Sequence, residues 1–314
     1  MRNLRRGLPA IVAPLALTFV LAACGSSSST SSTGGTTSTG PGTGKPAVVI
    51  GDKNFPEENI LGALYATALR AKGYKVTLKD NIGSSELTYK ALNAGEIGMY
   101  PEYTGTILSV LDNDTANPPS ATAAYSEAKA FLAKHGYTLL AMTPFSDSDV
   151  VVTKVAYAKA HDLKSLGDLA KLGKSFVIAA EPEYATRYSG LIGLKKEYGV
   201  VPTFKPLASS SLVYQAINSG QVNGGDVFTT DPQLKSGAYT PLADPKGIFG
   251  YQNVAPIVSN KVLKAEGPQF ASILNAVSAL LTLPAIQKMN AAVILDKQTP
   301  ASVAQQFLKA NGLA

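Results

Sequence analysis

The sequence predicts an α/β fold built as two similar lobes, and three observations carry that prediction. First, the stretch Tyr89 to Thr106, YKALNAGEIGMYPEYTGT, returns without a gap 125 positions later as YQAINSGQVNGGDVFTTD, Tyr214 to Asp231. Second, short apolar runs alternate with helical patterns from Ala47 onward, the mark of βαβ units and a mainly parallel sheet. Third, 314 residues with 45 % hydrophobic and 16 % charged side chains suffice for two domains of ordinary size.

The repeat keeps Tyr89/Tyr214, Ala91/Ala216, Asn93/Asn218, Gly95/Gly220 and Thr104/Thr229 identical. Leu92/Ile217, Ile97/Val222 and Tyr103/Phe228 are conservative pairs. Each copy reads as an amphipathic helix, a glycine stop, a short apolar strand and a polar loop opened by an aromatic residue. Its spacing exceeds the roughly 20–50 residues of a solenoid repeat. It suits two lobes that each offer the same loop to one cleft, with Tyr103 opposite Phe228.

The N-terminus predicts export. Arg2, Arg5 and Arg6 precede an apolar run from Leu8 to Ala23, too short for a typical membrane span. Leu21-Ala22-Ala23-Cys24-Gly25 resembles a bacterial lipoprotein signal, which implies a lipid on Cys24. Gly25 to Lys45 holds Ser, Thr, Gly and Pro and is expected to be a flexible tether. The expected organisation is a leader over 1–23, a tether over 24–45, one lobe from 46–149 with 252–314, and a second lobe over 150–251. Without the three leader arginines the net charge falls from +6 to +3, too mild to argue for nucleic acid. Cys24 is the only cysteine, so no internal disulfide can form.

Along the chain, Ala47 to Ile50 reads as a buried strand. Asn54 reads as an N-cap and Glu57 as its capping-box partner, with Pro56 in the first turn. Ile60, Leu61, Leu64, Tyr65, Ala68 and Leu69 share one helical face. Further elements are expected at Lys75 to Lys79, Ser85 to Ala94, Ile97 to Tyr100, Ala121 to Lys134 and Tyr137 to Ala141. The apolar run Asp149 to Thr153 marks the first crossover. The second lobe is expected to hold strands at Phe176 to Ala179 and Thr203 to Pro206, and a helix around Arg187 to Tyr198. The chain returns near Tyr251 to Val258. Helices at Pro268 to Leu283, Pro284 to Leu295 and Pro300 to Asn311 then finish the first lobe. Ligands of open α/β sheets bind outside the carboxyl ends of strands, where the loops of Lys53, Tyr103, Glu183 and Phe228 fall.

Catalytic patterns are absent. His135 and His161 are the only histidines and lack metal-ligand spacing, and no nucleophile elbow or zincin motif occurs. No enzyme, no metal and no cofactor is therefore expected. Binding chemistry is richer, with 14 Tyr and 10 Phe. Aromatic faces attract a quaternary ammonium with roughly 0.5–2 kcal/mol each. Tyr103 and Phe228 are candidate walls, against the bland alternative of core packing beneath their loops. Only Arg70 and Arg187 lie outside the leader, beside 23 lysines. A guanidinium fork suits a carboxylate better than an ammonium does. Glu183 and Arg187 stand i,i+4, so an exposed ion pair is the plain alternative. Lys53 reads equally as a solvated lysine, and Asp147 and Asp149 as hinge or cap residues.

The residues also resemble a family. Ile50 to Glu58, IGDKNFPEE, is similar to the IGSKNFTEQ opening of osmoprotectant-binding proteins of ABC importers. Gly95-Glu96-Ile97 with Tyr100 to Thr106, YPEYTGT, resembles the family's second motif. Glu183 through Arg187 to Gly190 and Asp226 to Asp231 resemble two more. The likeness runs from about Val48 to the C-terminus. It implies a type II periplasmic-binding-protein fold with two crossover strands and an aromatic cage for trimethylammonium. By that resemblance Tyr103 and Phe228 are cage walls, and Lys53, Thr106 and Arg187 hold the ligand's carboxylate or polar tail.

Two departures bear on affinity. Many members carry a tyrosine in the crossover where this chain reads Asp147-Ser148-Asp149-Val150. Near the return, Tyr251 is displaced by one position. A cage short of one or two walls loses about 1–3 kcal/mol. Asp149 is a candidate to supply a charge to the cation instead. The expectation is a monomeric, lipid-anchored, extracytoplasmic receptor that hands a quaternary-ammonium or zwitterionic, glycine betaine-like osmolyte to an ABC permease, with Arg187 favouring a carboxylate-bearing ligand over choline. Another small solute, amino-acid-like or aromatic, is the alternative ligand. A lipoprotein enzyme or an adhesin is the alternative class.

Overall fold

The structure, a computed structural model, describes residues 40–116 and 118–314. The leader over 1–23 and the lipidation at Cys24 lie outside the described residues. The strands are β1 (Ala47–Gly51), β2 (Lys75–Lys79), β3 (Met99–Tyr103), β4 (Tyr137–Leu139), β5 (Asp149–Lys154), β6 (Val177–Ala180), β7 (Thr203–Pro206), β8 (Gly224–Phe228), β9 (Tyr239–Pro241) and β10 (Val254–Ser259). They form two sheets of the same design, ordered β2-β1-β3-β10-β4 and β7-β6-β8-β5-β9. In each, three parallel strands meet two strands that run as an antiparallel edge pair beside the central β3 or β8.

The internal repeat is a structural repeat. Helix α2 (Ser85–Asn93, after α1 at Pro56–Ala71) has its counterpart in Ser210–Asn218, and β3 has its counterpart in β8, both at the same offset of 125 positions. Each strand begins two residues later than the Ile97 and Val222 positions suggest and runs through the aromatic residue. Tyr103 and Phe228 therefore close strands rather than open loops. Strand pairing fixes their neighbours: Val254 lies across from Tyr103, and Asp149 across from Phe228.

The first core forms under α1. Leu61, Leu64, Tyr65 and Leu69 are fully buried with Phe270, Leu274 and Leu308 from the C-terminal helices Pro268–Leu280 and Pro300–Ala310. Each such side chain contributes about 1.5–3 kcal/mol. The second core gathers Val151, Leu166, Phe176, Ile178 and Leu194. The chain leaves the first sheet after β4 and returns at β10. Its two connecting segments meet in an antiparallel bridge between Ser146 and Asn253.

Three expectations are corrected. The α1 start has no capping box: Phe55 is the N-cap and no side chain caps it. Glu57 is buried and used elsewhere, as described below. The expected helix around Arg187 is broken, because Gly190 leaves helical geometry and regular helix begins only at Gly193. The C-terminal end of the expected tether is docked. Gly42 N donates to Lys72 O at 3.0 Å, and a side chain on Gly40 or Gly42 would collide with the backbone of Lys72 or Tyr74.

Candidate ligand-binding cleft

The matched strands β3 and β8 point their carboxyl ends into one cleft with about 500 Å³ of atom-free space, part of it open to solvent. Tyr103 and Phe228 both line it. Phe55, from the loop after β1, lies between them. It stacks on Tyr103 at 6.2 Å between centroids and 24° between planes, and on Phe228 at 5.6 Å and 16°. Three rings drawn from both halves thus make one aromatic wall.

The wall is anchored from behind by Glu57. Its Oε1 accepts from the Tyr103 hydroxyl at 2.9 Å, and its Oε2 accepts from Thr230 Oγ1 at 2.6 Å and Asn290 Nδ2 at 2.7 Å. Thr230 follows β8, so one carboxylate joins α1 and β3 to the loop beyond Phe228. Asp147 adds a second link, accepting from Thr230 N at 3.0 Å and Thr229 Oγ1 at 3.1 Å. Burial pushes both carboxyls above their ordinary range. The three side-chain donors hold Glu57 back, and the neighbouring Glu57 and Asp231 raise Asp147 further.

Lys53 is buried on the cleft floor at 3 % exposure. Its ammonium pairs with Glu102, lies 3.7 Å from Glu58, and sits 4.3 Å from the centre of the Tyr103 ring. The same ammonium lies 5.5 Å from the centre of the Phe55 ring, so two rings of the wall already face a protein cation. Lys53 lines the cleft with its ammonium paired to Glu102.

Arg187 crosses the cleft mouth to α2. Its Nη2 donates to Glu86 Oε2 at 2.9 Å and its Nε to Oε1 at 3.3 Å. The local pairing with Glu183 is not the one formed. Burial works against charge on Glu86, but the hydrogen bonds and charge of Arg187 outweigh it and hold the carboxyl down at about 2. Deeper in the second half, Asp149, Glu181, Glu183 and Asp226 share a hollow with Phe228. Burial raises Asp149 to about 6 despite Arg187, and raises Glu181 to about 8 with help from Glu183. Asp226 is pushed well up by burial and by facing Asp149.

Comparison with known proteins decides the family. Residues 46–310 match the family described as the substrate binding domain of ABC-type glycine betaine transport systems. The chain belongs to this family. A glycine-betaine-binding protein of Pseudomonas aeruginosa is 32 % identical to this substrate-binding domain over 275 residues, covering 84 % of this chain and 88 % of the relative. The glycine betaine-binding protein YehZ of Escherichia coli K12 is 27 % identical, over 84 % and 90 %. Among solved structures, that of a glycine betaine/carnitine/choline ABC transporter has a TM-score of 0.67 at 24 % identity, covering 86 % of this chain and 99 % of that one. Lactococcal OpuAC in its closed form with glycine betaine has a TM-score of 0.60 at 16 % identity, covering 85 % and 96 %. These neighbours establish the two-lobed type II periplasmic-binding fold.

In this substrate-binding domain the fold gathers Lys53, Tyr103, Thr106, Asp149, Glu183, Arg187 and Phe228 at one cleft. Tyr251 is not among them. It is 38 % exposed, and its hydroxyl reaches Pro119 O at 3.4 Å, away from the aromatic wall. Its neighbour Gln252 enters instead and accepts from Thr106 N at 3.0 Å. Val150, where a wall was missing, is buried in the second half at 8 % exposure. The residues that sequence reasoning missed are Phe55, Ser85, Glu86, Glu181 and Gln252. Phe55 was within reach, since it lies inside the first family motif.

Proposed function

We propose that this chain is an extracytoplasmic solute-binding receptor, without catalytic activity, that delivers a quaternary-ammonium osmolyte to an ABC permease. The observation that carries the reading is the continuous wall of Tyr103, Phe55 and Phe228, assembled from both halves of the molecule at the carboxyl ends of matched strands. Such a wall attracts a methylated cation through its ring faces and gains little from a neutral solute. Membership of the glycine betaine family and the likeness to the Pseudomonas aeruginosa glycine-betaine-binding protein support it. A lipid on Cys24 would hold the monomer beside its permease, with the tether spanning the gap. The site residues expected to contact the solute are Tyr103, Phe55, Phe228 and Asp149.

The test compares methylated and unmethylated pairs by calorimetry: glycine betaine against glycine, and choline against ethanolamine. The reading expects saturable one-site binding of at least one methylated member and about tenfold or weaker binding of its unmethylated partner. Equal affinities within both pairs, or no binding at all, would contradict it.

A further inference from the structure

The cleft's two cations are both neutralised by the protein itself. Lys53 pairs with Glu102 beside Glu58, and Arg187 holds Glu86 through two hydrogen bonds of 2.9 and 3.3 Å. The pair matches the Nε–Nη2 edge of the guanidinium with both oxygens of one carboxylate, so that fork is taken. Glu86 comes from the opposite half of the molecule, on α2, and reaches Arg187 across the cleft mouth. Its side chain is 45 % exposed at the mouth, so it is not locked there by core packing.

The polar wall left open has the opposite sign. Asp149, Glu181, Glu183 and Asp226 line the hollow beside Phe228, and Arg187 is the only cation among its lining residues. Asp226 is 9 % exposed, and its Oδ1 receives no hydrogen bond from the described residues. Asp149 lines the same hollow and is held by Ser189, so the donor missing is the one for Asp226, which a proton shared with Asp149 or a solute supplies. A buried acceptor left without a donor is costly, and a donor or cation brought by the solute relieves it. Tyr103 and Phe55 already face the Lys53 ammonium, at 4.3 and 5.5 Å, whereas Phe228 adjoins the acidic hollow directly.

We propose that Glu86 is a specificity-determining residue, a built-in carboxylate that occupies Arg187, so that the receptor selects a net-cationic solute without a carboxylate and seats its positive group between Phe228 and the Asp149–Asp226 pair. This rests on the quaternary-ammonium reading and narrows it. A zwitterion such as glycine betaine has to displace Glu86 from Arg187 or leave its own carboxylate among like charges. Choline carries the same head group with a hydroxyl that donates.

The experiment is titration calorimetry of the full chain with choline and with glycine betaine, for the wild type, Glu86→Gln, and Asp226→Asn. The wild type is expected to bind choline about tenfold more tightly than glycine betaine. Glu86→Gln frees Arg187 and is expected to shrink that ratio by about fivefold or more. Asp226→Asn preserves shape and is expected to weaken choline by about fivefold or more. A wild type that prefers glycine betaine, or a Glu86→Gln ratio unchanged from wild type, overturns the proposal while leaving the receptor reading intact. If neither compound binds the folded wild type, the quaternary-ammonium reading itself fails.

Discussion

Phe228 stacks on Phe55 with 5.6 Å between ring centroids and 16° between planes, joining the end of β8 to the loop after β1. The contact brings together one ring from each half of the molecule. Phe55 in turn stacks on Tyr103, so the repeated aromatic positions are linked through a third ring rather than facing across empty space. The wall is continuous because Phe55 fills its centre.

Removing that centre should damage binding as much as removing either end. Phe55→Ala and Phe228→Ala are each expected to weaken quaternary-ammonium binding by about tenfold or more, at the upper end of what one desolvated aromatic face supplies. Calorimetry of both variants checks this. Retention of wild-type affinity in Phe55→Ala would remove Phe55 from the wall.

Glu57 is expected to matter for stability despite lying at a helix start, where carboxylates are commonly solvated. Glu57→Ala leaves the Tyr103 hydroxyl, the Thr230 hydroxyl and the Asn290 amide without their acceptor. The expected cost is about 2–4 kcal/mol, or a Tm lower by roughly 5–10 °C. A melting curve within about 2 °C of wild type would show that the three donors find other partners.

Stability of the unliganded protein should fall as pH rises from about 5 to 8.5. Burial raises Asp149 to about 6, Asp52 and Asp231 to about 7, and Glu181 to about 8. An unfolded carboxyl titrates near about 4, so in this window the folded state binds more protons than the unfolded one. The stabilisation is complete below the unfolded values and is lost as pH passes through the folded ones. Glu86, held at about 2, runs the other way and is lost only below its unfolded value. Thermal melts across this range check the sign, and a Tm that climbs with pH would contradict it.

Affinity for a cation should show the reverse slope. Ionised Asp149, Glu181 and Asp226 attract a cation, whereas their protonated forms do not. Choline affinity is expected to increase from pH 5.5 to 8.5 by about tenfold, with proton release on binding. Calorimetry in buffers of different ionisation enthalpy measures both. Affinity that is flat or falling with pH would exclude these carboxyls from the site.

Much of this was legible in the sequence because it is local or repeated. The offset of 125 positions recovers α2 and its partner, and β3 and β8. Period and run length place Lys75–Lys79 and Thr203–Pro206. What was misread is non-local. Glu57 sits where a capping carboxylate would sit, and only the folded chain reveals donors from Thr230 and Asn290. Arg187 has a natural local partner in Glu183, yet it bonds Glu86 because the cleft brings α2 across its mouth. Tyr251 carries an aromatic ring near the motif position, but the bridge between Ser146 and Asn253 turns Gln252 inward in its place.

The most direct test of the central claim is a calorimetric titration of the wild type and Phe228→Ala with choline and glycine betaine. The account predicts one saturable site per chain for at least one of the two, weakened by about tenfold or more when the Phe228 ring is removed. Equal affinity in Phe228→Ala, or no binding of either compound to folded wild-type protein, would contradict it.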